Sequence, residues 1–344
     1  MTTDGLEVRF LSDGGQGGAT IAGELTEFLA SAERTIDVAI YDFEARVGAT
    51  ARIADALEAS LKRGVAVRVA FNLERPSRSS APRPPIAPPA QIEGLEVPTR
   101  GVHGDGALMH HKYAIVDGRR IWTGSTNWTN DAFSREENAI VTLDSSAVAA
   151  GFAANFDQLW TKGKVEASGG GASPAEIEGE KITSSFSPRG PSLAHVVAEA
   201  IGSAKRRLRF LSPVLTAGSI LGTLAEAAGK QGFDLVGAYD LTQMEEVMGQ
   251  WERVPANSWK IGAWRAIAPR LSGKRSTPYG EGSVHDYMHA KAVVADDRVV
   301  TGSYNCSKGG EENAENILDV EDASLAGRFA SFAEDIAARY RNNR

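Results

Sequence analysis

Hydrophobic positions along the chain repeat one order of elements twice. The first half predicts a strand, a helix and a strand, in that order, at residues 35–43, 53–62 and 65–72. The second half predicts the same order at residues 208–214, 220–228 and 233–240. Alternating strands and helices predict an α/β fold of two halves, each a sheet flanked by helices, meeting about a pseudo-twofold axis.

A set of five polar residues recurs downstream of each unit. In the first half the set is His110, Lys112, Asp117, Ser125 and Asn127, and in the second half it is His289, Lys291, Asp296, Ser303 and Asn305. Counting eleven residues past each last asparagine reaches Asn138 and Asn316, which selects the preceding Glu137 and Glu315 as a further pair. Structural roles alone do not demand the same residues at matching offsets in two diverged halves. The repeat therefore indicates one composite active site.

The repeated pattern resembles the phospholipase D superfamily, whose signature is His-x-Lys-x4-Asp, then Gly-Ser-x-Asn and a later Glu. The motif is most similar to the nuclease-like phosphodiesterase branch. The resemblance implies two phospholipase D-like repeats, each a mixed β-sheet flanked by helices, with the active site at their junction. The expected boundaries are 1–162 for the first repeat, 163–180 for a Gly-rich linker and 181–344 for the second repeat. A Pro-rich loop is predicted at about residues 75–98.

A phosphodiester resists attack because its charge repels nucleophiles and because an alkoxide is a poor leaving group. By resemblance, His110 is the nucleophile that forms a phosphohistidine intermediate and His289 is the general acid, with the reverse order left open by the near symmetry. The lysines and asparagines would bind the phosphate and the serines would support it; these residues are Lys112, Lys291, Asn127, Asn305, Ser125 and Ser303.

Orienting carboxylates are expected beside both histidines. Glu137 would accept the second ring proton of His110, and Glu315 would accept that of His289. Such a carboxylate fixes the tautomer and raises the basicity of the imidazole.

Four other polar residues favour structural interpretations. Asp117 and Asp296 suit hydrogen bonding within turns. His111 would point to the face of its strand opposite His110 and pack there. Cys306, the only cysteine, excludes an internal disulfide, fits a reducing compartment and favours a small buried thiol.

Neither a metal nor another cofactor is expected. A cluster of His103, Asp105, His110 and His111 matches no standard zinc spacing, and the second half has no counterparts of His103 and His111. Lysines and asparagines would supply the charge stabilisation that a divalent ion otherwise provides.

Composition sets the expected compartment and partners. The N-terminal residues 1–10 lack a basic region followed by an apolar core, and no apolar run is long enough to span a bilayer. We therefore expect a cytoplasmic protein without stable membrane insertion. The net charge of −7 is mildly unfavourable for nucleic acid at long range, although local basic clusters can still line a groove. Two motifs in one chain remove any need for a dimer to complete the site.

The segment before the second motif combines tryptophans with basic residues, a mixture typical of surfaces that stack bases and bind phosphates. The candidate groove residues are Trp259, Trp264, Arg270, Lys274 and Arg275. This segment favours nucleic acid as the substrate, and hence a metal-independent nuclease that acts on DNA or RNA.

Two other functions compete with the nuclease. The first is a phospholipase D or phosphatidyl transferase that acts on phospholipids at a membrane surface, with Ile86 and Ile92 of the Pro-rich loop as an apolar entry for acyl chains. The second is a non-catalytic nucleic-acid-binding module, against which the intact motifs in both halves argue.

Overall fold

The computed structural model describes residues 5–73, 86–280 and 282–342, which form two mixed β-sheets with helices around and between them. The first half contains β1 (Leu6–Leu11), α1 (Gly18–Ala30), β2 (Thr35–Ile40), α2 (Ala51–Lys62), β3 (Ala66–Asn72), α3 (Ala90–Glu93), β4 (Thr99–Val102), β5 (Lys112–Val116), β6 (Arg120–Gly124), α4 (Asn130–Ser134), β7 (Asn138–Asp144) and α5 (Ser146–Lys162). The second half contains β8 (Ala172–Ile177), β9 (Glu180–Phe186), α6 (Leu193–Ser203), β10 (Arg207–Leu211), α7 (Gly218–Gly229), β11 (Asp234–Asp240), α8 (Leu241–Glu252), α9 (Ser258–Ile267), β12 (Ser272–Lys274), β13 (Ala292–Ala295), β14 (Arg298–Gly302), β15 (Asn316–Glu321) and α10 (Ala323–Arg339).

The two sheets have equivalent strand orders, except that the second has one more edge strand. The first sheet runs β1-β7-β6-β5-β2-β3-β4, and the second, beginning with the extra strand β8, runs β8-β9-β15-β14-β13-β10-β11-β12. In each sheet the strand that follows the motif histidine, β5 or β13, lies at the centre and pairs antiparallel with both neighbours. Such a strand is buried on both faces and reads as a continuous apolar run, as in the Tyr-Ala-Ile-Val that follows Lys112. The predicted α/β fold of two repeats is confirmed.

Turns that follow the central strands β5 and β13 are hydrogen-bonded to the segments that lead into the neighbouring strands β2 and β10. Asp117 and Asp296 have φ angles of 56° and 55°, in the left-handed region that aspartate tolerates better than most residues. Each carboxylate accepts backbone N–H groups at the start of the adjacent strand, from Glu33, Arg34 and Thr35 in one half and from Lys205, Arg206 and Arg207 in the other. The two motif aspartates therefore have the turn role expected from the sequence.

Helices α5 and α10 form a layer between the sheets. Phe329 and Phe332 of α10 contact Phe10 of β1, with ring centroids 4.9 and 4.4 Å apart, while the same helix packs on β10, β11, β13 and β14. One buried core consequently contains residues from both halves. Helices α1 and α2 cover the outer face of the first sheet, and α6, α7 and α9 cover that of the second. The two halves are thus joined by a shared apolar interior.

The segment expected to be a linker is partly a strand. Residues 172–177 pair with β9 as the edge strand β8, through a two-residue turn in which Glu178 and Gly179 have φ angles of 53° and 89°. Pro174 fits there because an edge strand leaves one side of its backbone unpaired. Glycines and a proline suggested a flexible connection, but an edge strand tolerates both.

The predicted Pro-rich loop lies partly outside the described residues, which resume at Ile86. Ile86 lines the cavity described below, and Ile92 of α3 is buried in the core against the first sheet. Within the described ranges, no helix is both long and apolar enough to cross a membrane.

Candidate active site

The two His-x-Lys segments meet where the halves contact each other. The backbone N–H of His110 donates to the carbonyl of Ala314 (2.9 Å), and the backbone N–H of His289 donates to the carbonyl of Glu137 (3.0 Å). Each motif histidine is therefore held by the other half of the chain. Both imidazoles line one cavity of about 160 Å³.

The motif asparagines lie in the same cavity wall. The Oδ1 atoms of Asn127 and Asn305 are buried and have no hydrogen-bond partner among the described residues. Because the oxygen is the buried atom, the Nδ2 group of each amide is the part turned to the cavity. These two donors can bind a phosphate oxygen without first breaking a hydrogen bond within the protein.

The motif lysines lie beneath the histidines. Lys112 and Lys291 are almost fully buried, and each Nζ donates to the carbonyl of the histidine two residues earlier, at 2.7 and 2.6 Å. Burial lowers the pKa of Lys112 to about 7, and burial together with Lys112 lowers that of Lys291 well below its usual value. Two buried ammonium groups beside one cavity would be stabilised in their charged forms by a bound anion.

Burial favours the neutral form of both imidazoles. Burial lowers the pKa of His110 to about 4, although Glu315 opposes this effect. Burial, Lys291 and Lys112 lower the pKa of His289 well below its usual value. A phosphate anion between the two rings would favour the protonated form that a general acid needs.

The orienting carboxylate of His110 comes from the second half of the chain. Nδ1 of His110 lies 2.9 Å from Oε2 of Glu315, so the assignment of Glu315 to His289 was wrong. Burial would raise the pKa of Glu315, but His110 and Lys112 lower it, so the carboxylate stays ionised. The ring proton is therefore placed on Nδ1, which leaves Nε2 of His110 for the cavity.

Glu137 does not contact His110, and its assignment was also wrong. Its carboxylate lies 2.8 Å from Nζ of Lys274 and bonds to the hydroxyl of Tyr340. Nδ1 of His289 instead lies 3.1 Å from Oδ1 of Asn138 and 3.2 Å from Oε2 of Glu136. Glu136 and Asn138 are thus partners of the second histidine that the repeated motif did not indicate.

Strand register explains this error. The N–H of Ser125 donates to the carbonyl of Ala139, and the N–H of Ser303 donates to the carbonyl of Asn316, both at 3.0 Å. Ala139 and Asn316 are thus equivalent, which makes Asn138 the counterpart of Glu315. The first half has one extra residue between its motif asparagine and this strand, so counting equal offsets selects the wrong glutamate.

The motif serines support the orienting groups and lie outside the cavity wall. The hydroxyl of Ser125 donates to Oδ1 of Asn138 (2.7 Å), and the hydroxyl of Ser303 donates to Oε2 of Glu315 (2.6 Å). Both serines are fully buried. The expected support of the phosphate by these serines is therefore corrected to support of the groups that hold the histidines.

Further cavity residues were not anticipated from the sequence, because they belong to no repeated motif. They are Tyr41, Asp42, Leu108, Pro213, Gln243, Tyr279, His285 and Tyr287, in addition to Ile86. Asp42 is buried and accepts the N–H of Ala87 (2.9 Å), and burial raises the pKa of this carboxyl to about 7. The wall beyond His110 and His289 therefore combines aromatic and aliphatic side chains with Gln243, His285 and one carboxyl group.

The candidate nucleic-acid groove is not formed by the residues predicted for it. Trp264 is buried, with its ring edge-on to that of Tyr239 at 4.8 Å. Arg270 donates to main-chain carbonyls, and Lys274 is buried against Glu137.

The remaining two members of the predicted groove are exposed. Arg275 pairs with Glu245 at 2.9 Å, and Trp259 is 51% exposed beside Lys260. A basic, tryptophan-containing sequence is consistent with a groove, but long-range pairing neutralises or buries most of its members here.

Two other side chains have the structural roles expected of them. His111 is fully buried, packs on Tyr113 and lies 3.2 Å from Oδ1 of Asn316. Cys306 is buried, and burial raises the pKa of its thiol to about 12. Across the described ranges, no group of three or more His, Cys, Asp or Glu side chains is arranged to hold a metal ion.

Comparison with known proteins agrees with this geometry. A family model described as "Cardiolipin synthase, PLD-like domain" matches the chain twice, over residues 25–160 and 197–336. The mitochondrial cardiolipin hydrolase of Xenopus laevis is 32% identical over 132 residues, which are 38% of this chain and 57% of that protein. The corresponding protein of Danio rerio is 31% identical over 145 residues, which are 41% of this chain and 57% of that protein.

The chain thus spans a little over half the length of these curated relatives. Among solved structures, the phosphatidylserine synthase of Haemophilus influenzae aligns over 98% of this chain and 86% of its own, with a TM-score of 0.66 and 11% identity. That likeness shows a shared fold of two repeats. Since the family model matches both repeats and covers most of the sequence, the chain belongs to the phospholipase D superfamily, in the family of cardiolipin synthase-like PLD domains.

Proposed function

We propose that this protein is a phosphodiesterase that acts on phospholipids, as a phospholipase D or a phosphatidyl transferase. The composition of the cavity wall carries the proposal. Apart from the two motif lysines, which lie beneath the histidines, the described residues add no lysine or arginine to this wall, and they place Ile86, Leu108 and Tyr279 beside the histidines. A polynucleotide would bring flanking phosphates that need neutralisation, whereas a phospholipid brings an apolar diacylglycerol group.

The relatives named cardiolipin hydrolase and the cardiolipin synthase-like family model support the same substrate class. The proposal replaces the nuclease expected from the sequence, because the groove that favoured it is not formed.

The first chemical step uses both halves of the site. Nε2 of His110 attacks phosphorus, and the bond from phosphorus to the leaving oxygen breaks while His289 gives that oxygen a proton. The lysines and the asparagine amides stabilise the charge that develops on the phosphoryl oxygens. The products of this step are a free alcohol and a phosphatidyl group on His110.

The second step reverses the proton transfer. His289, now neutral, removes a proton from water or from an acceptor alcohol, whose oxygen attacks phosphorus and releases His110. Water gives phosphatidic acid, and an alcohol gives a new phospholipid. One site therefore supports both hydrolysis and transfer.

A hydrolysis panel tests the substrate class. Vesicles of phosphatidylcholine, phosphatidylglycerol and cardiolipin, plasmid DNA, single-stranded DNA, RNA and a chromogenic phosphodiester are each incubated with the protein, with the His110→Ala variant as the blank. We expect release of phosphatidic acid or of a head group from at least one lipid, and no cleavage of nucleic acid above the blank. Cleavage of DNA or RNA with all lipids intact would contradict the proposal and restore the nuclease.

We also expect activity to survive metal chelation. Lysines and asparagines supply the positive charge and donors at the phosphate, so no divalent ion is required for the chemistry proposed above. The measurement is the initial rate on the chromogenic diester before and after dialysis against EDTA. Loss of activity that returns on addition of zinc or magnesium would contradict metal-independent catalysis.

A further inference from the structure

The residues that hold the two histidines occur in opposite order in the two halves. At the position that faces the ring, the first half has Asn138 and the second half has Glu315. Two residues earlier, the first half has Glu136 and the second half has Asn313. In both halves the amide donates to the carboxylate, at 2.9 Å for Asn138 to Glu136 and 3.3 Å for Asn313 to Glu315. An amide and a carboxylate have therefore exchanged places.

The exchange leaves the two imidazoles with different partners. His110 faces the carboxylate of Glu315 directly, at 2.9 Å. His289 faces the amide oxygen of Asn138 at 3.1 Å, with Oε2 of Glu136 at 3.2 Å.

The amide orientation of Asn138 follows from its own contacts. Its Nδ2 donates to the carbonyl of Ala132 and to Glu136, so Oδ1 is the atom left to accept from His289 and from the hydroxyl of Ser125.

A full carboxylate raises the basicity of an imidazole more than a neutral amide does. His110 is accordingly the stronger nucleophile. Nδ1 of His289 contacts the amide of Asn138 as well as the carboxylate of Glu136. His289 is therefore the weaker base, and its protonated form is the stronger acid. This difference matches the two tasks of the first step, since the leaving alkoxide needs a readily donated proton.

We propose that Glu136 is the positioning carboxylate of His289. We also propose that having the carboxylate at position 136 and the amide at position 138 makes this histidine the proton donor opposite His110. Glu136 lies two residues before Asn138, and the residue at the equivalent position of the other half is Asn313, which is not acidic. It is fully buried at the junction and contacts His289 and Asn138. The inference rests on the proposed phosphodiester chemistry and is independent of which phosphodiester is the natural substrate.

Other charged groups also face His289. Lys291, Lys112 and His285 disfavour its protonation, and Glu315 favours it. Among the described residues, however, Glu136 is the carboxylate within contact distance of its ring. Burial raises the pKa of Glu136, although Asn138 and Lys291 oppose this effect. Since the ionised form of Glu136 favours the protonated ring, replacing the carboxylate with an amide should lower the pKa of His289, and the basic limb of the pH profile should move to lower pH.

The test compares Glu136→Gln with the wild type on two aryl phosphodiesters that differ in their leaving group. p-Nitrophenolate leaves without a proton, so its pre-steady-state burst should change little. The phenyl analogue needs the acid, so its first step should slow by about 10- to 100-fold, the range found when the carboxylate that orients a metal-binding histidine is removed. The basic limb of kcat/KM for the phenyl diester should shift to lower pH.

A second variant keeps the test independent of whether Glu136→Gln folds. Glu136→Asn combined with Asn138→Glu gives the first half the order of the second, so His289 should become more basic and the basic limb should move to higher pH. Glu312→Gln, an exposed carboxylate next to Asn313, is the matched control and should behave as wild type.

The outcomes separate this inference from the proposed function. If the wild type cleaves neither aryl diester, the phosphodiesterase proposal fails. If the wild type is active but Glu136→Gln keeps its leaving-group dependence and pH profile, the role of Glu136 is wrong. Equal slowing of both diesters, or a shift of the double variant to lower pH, would also overturn it.

Discussion

Replacing either His110 or His289 with alanine is expected to lower the steady-state turnover of a phosphodiester by at least about 1,000-fold. The reason is that the two imidazoles line one cavity and each half supplies a single ring, so no half-site holds both a nucleophile and an acid. The rates are measured on the chromogenic diester and on the best lipid of the panel. Near-wild-type turnover by one variant would contradict a shared site.

The two variants should nevertheless differ in what they accumulate. His289→Ala keeps the nucleophile, so a p-nitrophenyl diester should still phosphorylate His110, and the adduct should persist because no base activates water. His110→Ala should form no adduct. Mass spectrometry of the acid-labile phosphohistidine distinguishes the two, and an adduct on His289 would reverse the assignment. His195→Ala, an exposed histidine on α6, is the control for substitution itself.

Lys274→Met is expected to destabilise the protein by about 3–5 kcal/mol. Nζ of Lys274 lies 2.8 Å from the buried carboxylate of Glu137 and 3.4 Å from Asp13, and both the lysine and Glu137 are almost fully buried. Removing the ammonium group would leave Glu137 as an uncompensated buried charge between the two halves. The free energy of unfolding is measured by urea denaturation. A loss of this size is a large fraction of the stability of an ordinary domain.

Two further variants make that result specific. Glu137→Leu combined with Lys274→Met replaces the whole pair with apolar side chains and should recover much of the lost free energy. Arg275→Met changes the neighbouring residue, whose exposed pair with Glu245 should leave stability almost unaltered. Equal effects of Lys274→Met and Arg275→Met would show that the buried pair does not stabilise the junction.

The sequence was sufficient to predict the sheets and the convergence of the motifs. The repeated strand, helix and strand order indicated two sheets flanked by helices, and the duplicated histidines, lysines and asparagines indicated a shared site. The aspartates at the turns followed from the local conformational preference of Asp117 and Asp296. Each of these conclusions depends on neighbouring residues or on the repeated motif.

Long-range contacts explain what the sequence could not predict. Lys274 appeared to be part of a basic surface because Glu137, its partner, lies 137 positions away. Glu136 was missed because one extra residue shifts the register of the first half, and only strand pairing shows that Asn138 corresponds to Glu315. Asp42 gave no signal, because it belongs to no repeated motif.

Because each histidine is oriented by residues of the other half, the active site is incomplete until both halves have been synthesised. His110 is held by Glu315, and His289 is held by Glu136 and Asn138, so each ring depends on residues from the opposite end of the chain. A ribosome that has released only the first half has produced a nucleophile without its orienting carboxylate and without an acid. The nascent chain is therefore expected to be catalytically inactive, and activity should begin only when β15 pairs within its sheet.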